Sequence, residues 1–288
     1  MLYLQILANG LVLGGLYACI AAGFSLVWGV LNIINILHGS FIILGGYLAF
    51  YAYAVAGIHP FFSLLIAAPV FFALGYFLQR GIMNRMIAAP VLLTLTLTFG
   101  LDLMLSNGML AAFTADFKKI TLDPPLGVVF LGPVVLPVDR LMAMLLALAL
   151  LGLLYITLSR SRIGRAIVAV RMDREAAALM GVRVKDVYAI TFGLGTLMAG
   201  ISGPLLAMIF PISPLSGPVY LGKAFVVCVL GGLGSIPGAL VGGLALGLAE
   251  SFGSLWFGPE HATTLAFVLL ILILLVRPEG LLGRKGYA

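Results

Sequence analysis

Few residues of this chain have types and spacing suited to catalysis or to binding a solute. Four of them are polar side chains within long apolar segments. Asn32, Asn35 and His38 interrupt an apolar region with no charge nearby, and Asp102 lies inside another apolar run. Amides and acids at membrane depth cost free energy unless they meet a polar partner or a water-filled cavity. These four side chains are therefore candidates for lining a solute path. The alternative is that they satisfy the backbone at a helix break or turn, or, for Asp102, that a neutral carboxyl lies at a helix interface.

Sequence motifs for catalysis are absent. No H-E-x-x-H, C-x-x-C or nucleophile elbow occurs, and the two cysteines offer neither a disulfide framework nor metal-ligand spacing. The segment 217–223 has the spacing of a phosphate-binding loop, but Ala224 replaces the hydroxyl that would bind magnesium, and Pro218 does not suit such a loop. We therefore predict no enzyme activity, metal or cofactor in this chain, and place Lys223 at the outer membrane interface, where its stem would snorkel.

The composition excludes a soluble domain. Of the 288 residues, 62% are hydrophobic and 9% are charged, whereas soluble domains have about 25% charged residues. The net charge of +6 comes from basic residues that flank apolar runs, which predicts membrane loops and not nucleic-acid binding. The N-terminal segment MLYLQILANG lacks a basic region, so we interpret it as part of a first span and not as a signal peptide.

Apolar runs of about 20 residues predict an all-α polytopic membrane protein. The run 222–251 is too long and glycine-rich for one simple helix, and its centre, 231–238, predicts two half-helices, a re-entrant turn or a sharp break. About eight membrane helical segments result, one of them broken, in a single domain covering 1–288. The predicted segments are 2–31, 40–56, 61–79, 90–113, 141–158, 188–210, 222–251 and 263–276.

Charge predicts the orientation. Twelve of the sixteen Lys and Arg residues lie in three regions. These are the short loop that follows segment 61–79, the loop 159–187 and the C-terminal tail. Because Lys and Arg concentrate on the cytoplasmic side, all three regions are expected there. The N-terminus then faces outward and the C-terminus inward, provided that the broken segment returns to its starting side.

The basic loop 159–187 contains the signals of a short helix. Asp173 can cap its start, Glu175 places a negative charge in its first turn, and Gly181 can end it in a left-handed conformation. A helix of two turns is marginal alone, so neighbouring loops or a partner must hold it. It is either an ordinary solvated helix or a docking helix with a small-residue face.

The order Glu175-Ala176-Ala177, three residues, then Gly181 resembles the E-A-A-x-x-x-G loop of importer-type ABC permeases. The family's downstream Ile-x-Leu-Pro is missing, since no Leu-Pro follows Ile190. Along nearly its whole length the chain resembles the LivH-type permease of branched-chain amino acid ABC transporters. The likeness lies in Gly29 to Gly46 with Asn32, Asn35, His38 and Gly45-Gly46-Tyr47, in Met172 to Gly181, and in 231–238 with the tail 277–281.

The resemblance implies a heteromeric importer of the bacterial inner membrane. Its other members would be a related second permease, a periplasmic binding protein and two cytoplasmic ATPases that bind ATP and magnesium. Its substrate would be leucine, isoleucine, valine or another hydrophobic amino acid, with urea or short amides as an alternative. An ion-coupled secondary transporter using Asp102 or His38 is a further alternative, and Asp102 is not carried over from the family. The coupling residues implied are Asp173, Arg174, Glu175, Ala176, Ala177 and Gly181.

Overall fold

The computed structural model of the chain describes residues 2–86, 90–277 and 280–282. Within these ranges lie eleven α-helices and one two-stranded hairpin. In chain order they are α1 (Leu2–Leu31), α2 (His38–Ala56), α3 (Pro60–Gly81), α4 (Val91–Phe113), β1 (Val128–Leu131), β2 (Val134–Pro137), α5 (Val138–Arg160), α6 (Arg162–Met172), α7 (Arg174–Leu179), α8 (Val184–Ile209), α9 (Gly217–Gly231), α10 (Ile236–Phe257) and α11 (Ala262–Val276).

Eight helices of the described chain are long and apolar enough to cross a membrane, which confirms the predicted class and the number of about eight. They are α1 to α5, α8, α9 with the turn before it, and α10. The set differs from the predicted one, because the segment 222–251 supplies two of the eight and the predicted last segment, 263–276, forms the shorter apolar helix α11. The predicted break in 222–251 is confirmed between α9 and α10. The two flanking helices are nevertheless full-length and not half-helices, because α9 begins at Gly217 and α10 continues to Phe257.

Helices α1 and α8 form the centre of the bundle, and glycines set how closely their neighbours approach. A Cβ atom on Gly14 of α1 would lie 2.7 Å from Leu244 Cα of α10, which is too close for any side chain. Where α2 crosses α8, a Cβ on Gly45 would overlap the Gly200 carbonyl group. Such close approach favours helix association in lipid, where packing and not hydrophobicity drives it.

One end of the bundle carries the β-hairpin, and we call it the hairpin end. The strands β1 and β2 pair antiparallel, with Leu131 opposite Val134 at the turn. Gln5 Nε2 donates to the Val135 carbonyl over 2.8 Å, and Val135 N donates to Gln5 Oε1 over 2.8 Å, so β2 is fixed to the start of α1. The hairpin is difficult to predict from the sequence, since strands of four residues leave little alternation to detect.

The opposite end gathers the basic regions, and we call it the basic end. Hydrogen bonds join the segment after α3, the loop 159–187, the α9–α10 turn and the tail, as the orientation prediction requires. Of the tail, Pro278, Glu279 and 283–288 lie outside the described residues. The orientation itself stays a prediction. The bonds are Asn84 Nδ2 to Lys185 O (3.2 Å), Arg171 Nη1 to Gly234 O (2.8 Å) and Leu281 N to Leu230 O (2.7 Å).

Candidate functional site

Helix α7 begins and ends where its sequence signals predict. Asp173 has an extended backbone, and its Oδ1 accepts from Glu175 N at 2.8 Å and from Ala176 N at 3.0 Å. These bonds satisfy donors that have no partner inside the helix. Gly181 has φ +84°, a conformation that favours glycine, and Val182 N then donates to Ala177 O at 3.0 Å.

The outer surface of α7 differs from the small-residue face that we expected. Ala177 is buried against the chain itself, whereas Ala176 and Ala178 are exposed. Leu179 and Met180 project outward, with 88% and 85% of their surface exposed. Two long apolar side chains at the end of a capped helix fit a hydrophobic groove of a partner, since an apolar anchor in a pocket contributes most to binding.

Helix α7 is held by a second helix, α6, which the sequence analysis interpreted as loop. Ser161 caps α6 by accepting from Gly164 N at 2.9 Å. Gly164, Ile167 and Val170 are buried, and arginines occupy the exposed face. This spacing is that of an amphipathic helix lying on the bundle. The support explains how the six-residue α7 is ordered despite its marginal intrinsic stability.

Arg171, near the end of α6, connects this region to the α9–α10 turn. Its Nη1 donates to the Gly234 carbonyl over 2.8 Å. Gly234 has φ +76° and lies against Gly29 of α1, so closely that a Cβ on Gly29 would be 2.6 Å from Gly234 Cα. Asp173, which caps α7, is two residues further along the chain. The start of α7 is therefore joined by a short chain of contacts to the α9–α10 turn and to α1.

Residues 32–37 between α1 and α2 are not helical, as the polar interruption predicts. Asn32 is exposed with φ +53°, and Asn35 is fully buried with neither amide atom hydrogen-bonded. α2 begins beside the middle of α1, because His38 Nε2 lies 2.9 Å from the Ile20 carbonyl. The segment thus runs from the end of α1 back into the bundle.

The His38 imidazole has a defined hydrogen-bonding role in this position. A carbonyl oxygen only accepts, so Nε2 carries the hydrogen and donates to Ile20. The neutral ring then presents Nδ1 as an acceptor, and this buried atom has no partner. Asn35 and His38 therefore contribute unsatisfied polar atoms three residues apart inside the bundle. The bond from His38 to the backbone is what the alternative interpretation expected, so a role of these residues in the solute path stays a prediction.

Asp102 is buried in the middle of α4 and faces the start of α2. Ser40 Oγ donates to Asp102 Oδ1 over 2.5 Å. One turn earlier on the same face, Thr98 Oγ1 donates to the Ile34 carbonyl over 2.9 Å. Asp102 is thus in contact with the first turn of α2, and Thr98, one turn away on α4, contacts the non-helical segment.

A cavity of about 330 Å³ opens at the basic end beneath these groups. It lies between the loop after α1, the start of α4 and the α6–α7 junction. Of the four candidates for the solute path, Asn32 lines this cavity. The coupling candidates Asp173 and Arg174 also line it, together with Val30, Leu31, Ile33, Met86, Val91, Thr94, Val170, Arg171, Met172 and Tyr188.

The prediction that Lys223 snorkels at the outer interface is wrong. Lys223 Nζ lies 2.9 Å from Glu250 Oε1, and the two side chains are only 13% and 4% exposed. Tyr17 OH donates to Glu250 Oε2 over 2.7 Å and accepts from Lys223 Nζ over 2.8 Å. Asp102 is also not the only acid inside a membrane helix of the described chain. Glu250 lies well within α10, because this helix extends past the predicted boundary.

Residues 6–276 match the model of one protein family, described as branched-chain amino acid transport system / permease component. The chain belongs to this family. It is a transport permease component and a multi-pass protein of the bacterial inner membrane. The segment 217–223 of this permease accordingly forms no phosphate-binding loop and instead begins the membrane helix α9.

Similar permeases cover nearly the whole chain. The high-affinity branched-chain amino acid transport system permease protein BraD of Pseudomonas aeruginosa is 36% identical over 295 residues, 98% of this chain and 96% of BraD. LivH of Escherichia coli K12, with the same description, is 34% identical over 301 residues, 98% of this chain and 96% of LivH. A probable LivH of Methanocaldococcus jannaschii is 26% identical over 301 residues, 97% of this chain and 92% of its own length. No solved structure matches the permease.

The Arg171 connection leads to a prediction about coupling in this permease. Replacing Arg171 by Gln removes a charge-assisted hydrogen bond, which is worth roughly 1.5–3 kcal/mol. We expect substrate uptake per ATP hydrolysed to fall roughly tenfold, while the ATPase subunits stay bound. Uptake and phosphate release are measured on the same preparation.

Arg162→Gln, an exposed arginine at the start of the same helix, is the matched control and should leave this ratio unchanged. An unchanged ratio in Arg171→Gln would show that the bond to Gly234 carries no coupling.

Proposed function

We propose that this permease is the membrane-spanning subunit of an ATP-driven importer for leucine, isoleucine, valine or similar hydrophobic amino acids. The supporting observation is identity of 34–36% to two high-affinity branched-chain amino acid permeases over nearly their full length. These relatives do not favour urea or short amides as substrate, nor an ion-coupled transporter that uses Asp102 or His38.

The importer that we propose has four further subunits. A related second permease completes the path through the membrane, and a periplasmic binding protein delivers the amino acid at the hairpin end. Two cytoplasmic ATPases bind ATP and magnesium at the basic end. This placement follows from the positive-inside rule and the basic residues gathered there, so the N-terminus is outside and the C-terminus inside.

Helix α7 is the docking element in this proposal. Asp173, Glu175 and Gly181 fix its position, and Leu179 and Met180 supply apolar surface for a groove in the ATPase. ATP binding would move α7, and the Arg171 contact would pass the movement to the α9–α10 turn. The solute path then alternates between outward and inward openings, as in transporters that rock one bundle against another.

Uptake by the complete importer in proteoliposomes tests the proposed substrate. We expect ATP-dependent accumulation of labelled leucine that excess isoleucine or valine suppresses and excess urea or acetamide does not. Accumulation should persist when a protonophore collapses the proton gradient. Competition by urea would contradict the substrate class, and loss of uptake with the proton gradient would contradict the energy source.

A further inference from the structure

The polar face of α4 points into the protein. Its buried residues are Thr94, Thr98, Asp102 and Met109. The first three are spaced four residues apart, so they share one face of the helix. The other faces of α4 carry apolar residues such as Leu92 and Met104, which are 72% and 74% exposed. Helix α4 thus turns two of its three threonines and its one acid toward the protein interior.

The surface opposite this face is residues 32–40, the non-helical segment and the start of α2. Thr98 Oγ1 donates to the Ile34 carbonyl, and Ser40 Oγ donates to Asp102 Oδ1. Non-helical backbone at membrane depth is tolerated only where protein buries it or where it lines a water-filled cavity. We call the boundary between Thr94, Thr98 and Asp102 on one side and residues 32–40 on the other the polar seam.

The polar seam is continuous with the cavity at the basic end, because Asn32 and Thr94 line that cavity. At its inner end, Gly39 lies against Gly217, so the first turns of α2 and α9 meet. The turn Pro214–Ser216 before α9 packs against both α2 and α4. The N-terminus of α2, which carries partial positive charge, thus lies at the Asp102 carboxyl group, and the N-terminus of α9 meets α2 one residue away, at Gly39. The unpartnered Asn35 amide is buried three residues before α2 begins.

We propose that the amino acid crosses the membrane along the polar seam, with Asp102 binding its ammonium group. This inference rests on the proposed function and adds the route of the substrate through the permease. An amino acid zwitterion needs an anion for one end and donors for the other. The seam offers the Asp102 carboxyl group for the ammonium and the N-termini of α2 and α9 for the carboxylate. Separation of α4 from residues 32–40 breaks two side-chain hydrogen bonds and exposes groups that the substrate can satisfy.

Cysteine accessibility tests the seam in the assembled importer. Thr94→Cys, Thr98→Cys and Thr96→Cys are each treated with a membrane-impermeant, positively charged methanethiosulfonate during turnover. Thr96 is the matched control, since it is exposed on another face of α4 and bonds to its own helix. The parent chain with its two buried cysteines sets the background.

We expect modification of Thr94→Cys and Thr98→Cys to reduce leucine uptake at least tenfold, and leucine to protect Thr98→Cys. Thr96→Cys should keep its uptake. If Thr94→Cys and Thr98→Cys keep their uptake, or if leucine never protects Thr98→Cys, the substrate takes another route although the importer works. If the parent importer accumulates no hydrophobic amino acid, the proposed function fails instead.

Asp102→Asn provides a second test that does not require a reactive cysteine. The amide keeps the size of the side chain and can still accept from Ser40, but it cannot pair with an ammonium group as an ion. We expect the KM for leucine to rise roughly tenfold, with the importer assembled in normal amounts. An unchanged KM would contradict the role of Asp102 even if the seam is accessible.

Discussion

Replacing Leu179 and Met180 together by Asp is expected to release the ATPase subunits from the permease. Both side chains are almost fully exposed, and nothing in the described part of the chain buries them. An apolar anchor at a protein interface contributes about 2 kcal/mol or more, so loss of one would weaken binding roughly 30-fold and loss of both roughly 700-fold. Binding is measured by co-purification and by titration of purified ATPase onto the permease in detergent.

The permease itself should fold normally in this variant, because α7 is capped by Asp173 and seated through Ala177, neither of which changes. The double variant Phe117→Asp with Phe130→Asp, which places the same two charges on exposed apolar residues outside α7 and the basic loop, is the matched control and should bind the ATPase normally. Full ATPase binding by the Leu179 and Met180 double variant would remove α7 as the docking element.

Glu175→Lys should have a smaller effect in the same assay. It places a positive charge in the first turn of α7, where the helix dipole disfavours it by about 0.3–1 kcal/mol. We expect weaker docking and reduced uptake with normal membrane insertion. Normal uptake in this variant would show that the acid in the first turn has no part in coupling.

The second large effect is expected at Lys223. Replacing Lys223 by Met leaves the Glu250 carboxyl group buried without its cation, and removal of one partner of a buried ion pair costs about 3–5 kcal/mol. We expect a large loss of folded protein in the membrane and a marked fall in Tm in detergent. Lys119→Met, at an exposed lysine, should do neither.

The double variant Lys223→Met with Glu250→Gln separates a structural role from a transport role. It removes both charges, and Tyr17 can still donate to the Gln side chain. If the pair only joins α1, α9 and α10, folded yield and uptake should recover together. Recovery of yield without recovery of uptake would mean that Lys223 or Glu250 takes part in transport. If neither recovers, the claim that the two buried charges are tolerated because they neutralise each other is contradicted.

Local signals explain what could be predicted from the sequence. The Asp173 cap and the Gly181 terminator act within one or two turns, so their neighbours in sequence are also their neighbours in space. Apolar runs gave the membrane helices for a similar reason, because the length of a span depends only on membrane thickness. The non-helical segment around Asn35 could also be predicted, since amides without charged neighbours rarely continue a membrane helix.

Contacts between distant parts of the chain could not be predicted in this way. Lys223 and Glu250 are 27 residues apart and meet Tyr17 more than 200 residues away, so no local pattern pairs them. Thr98 was not among the predicted path residues, because its partner, the Ile34 carbonyl, belongs to another element. In contrast, α6 could have been predicted from the helical spacing of Gly164, Ile167 and Val170. The many arginines around these residues led to its interpretation as a loop.

The most direct test of the central claim is leucine uptake by the permease pair with and without its ATPase subunits. Proteoliposomes carry ATP only on the side that the basic end faces. We predict accumulation of leucine when both ATPase subunits are present, and none when they are omitted or ATP is placed on the other side. Uphill leucine uptake by the permeases alone would contradict the claim that this chain draws its energy from docked ATPases.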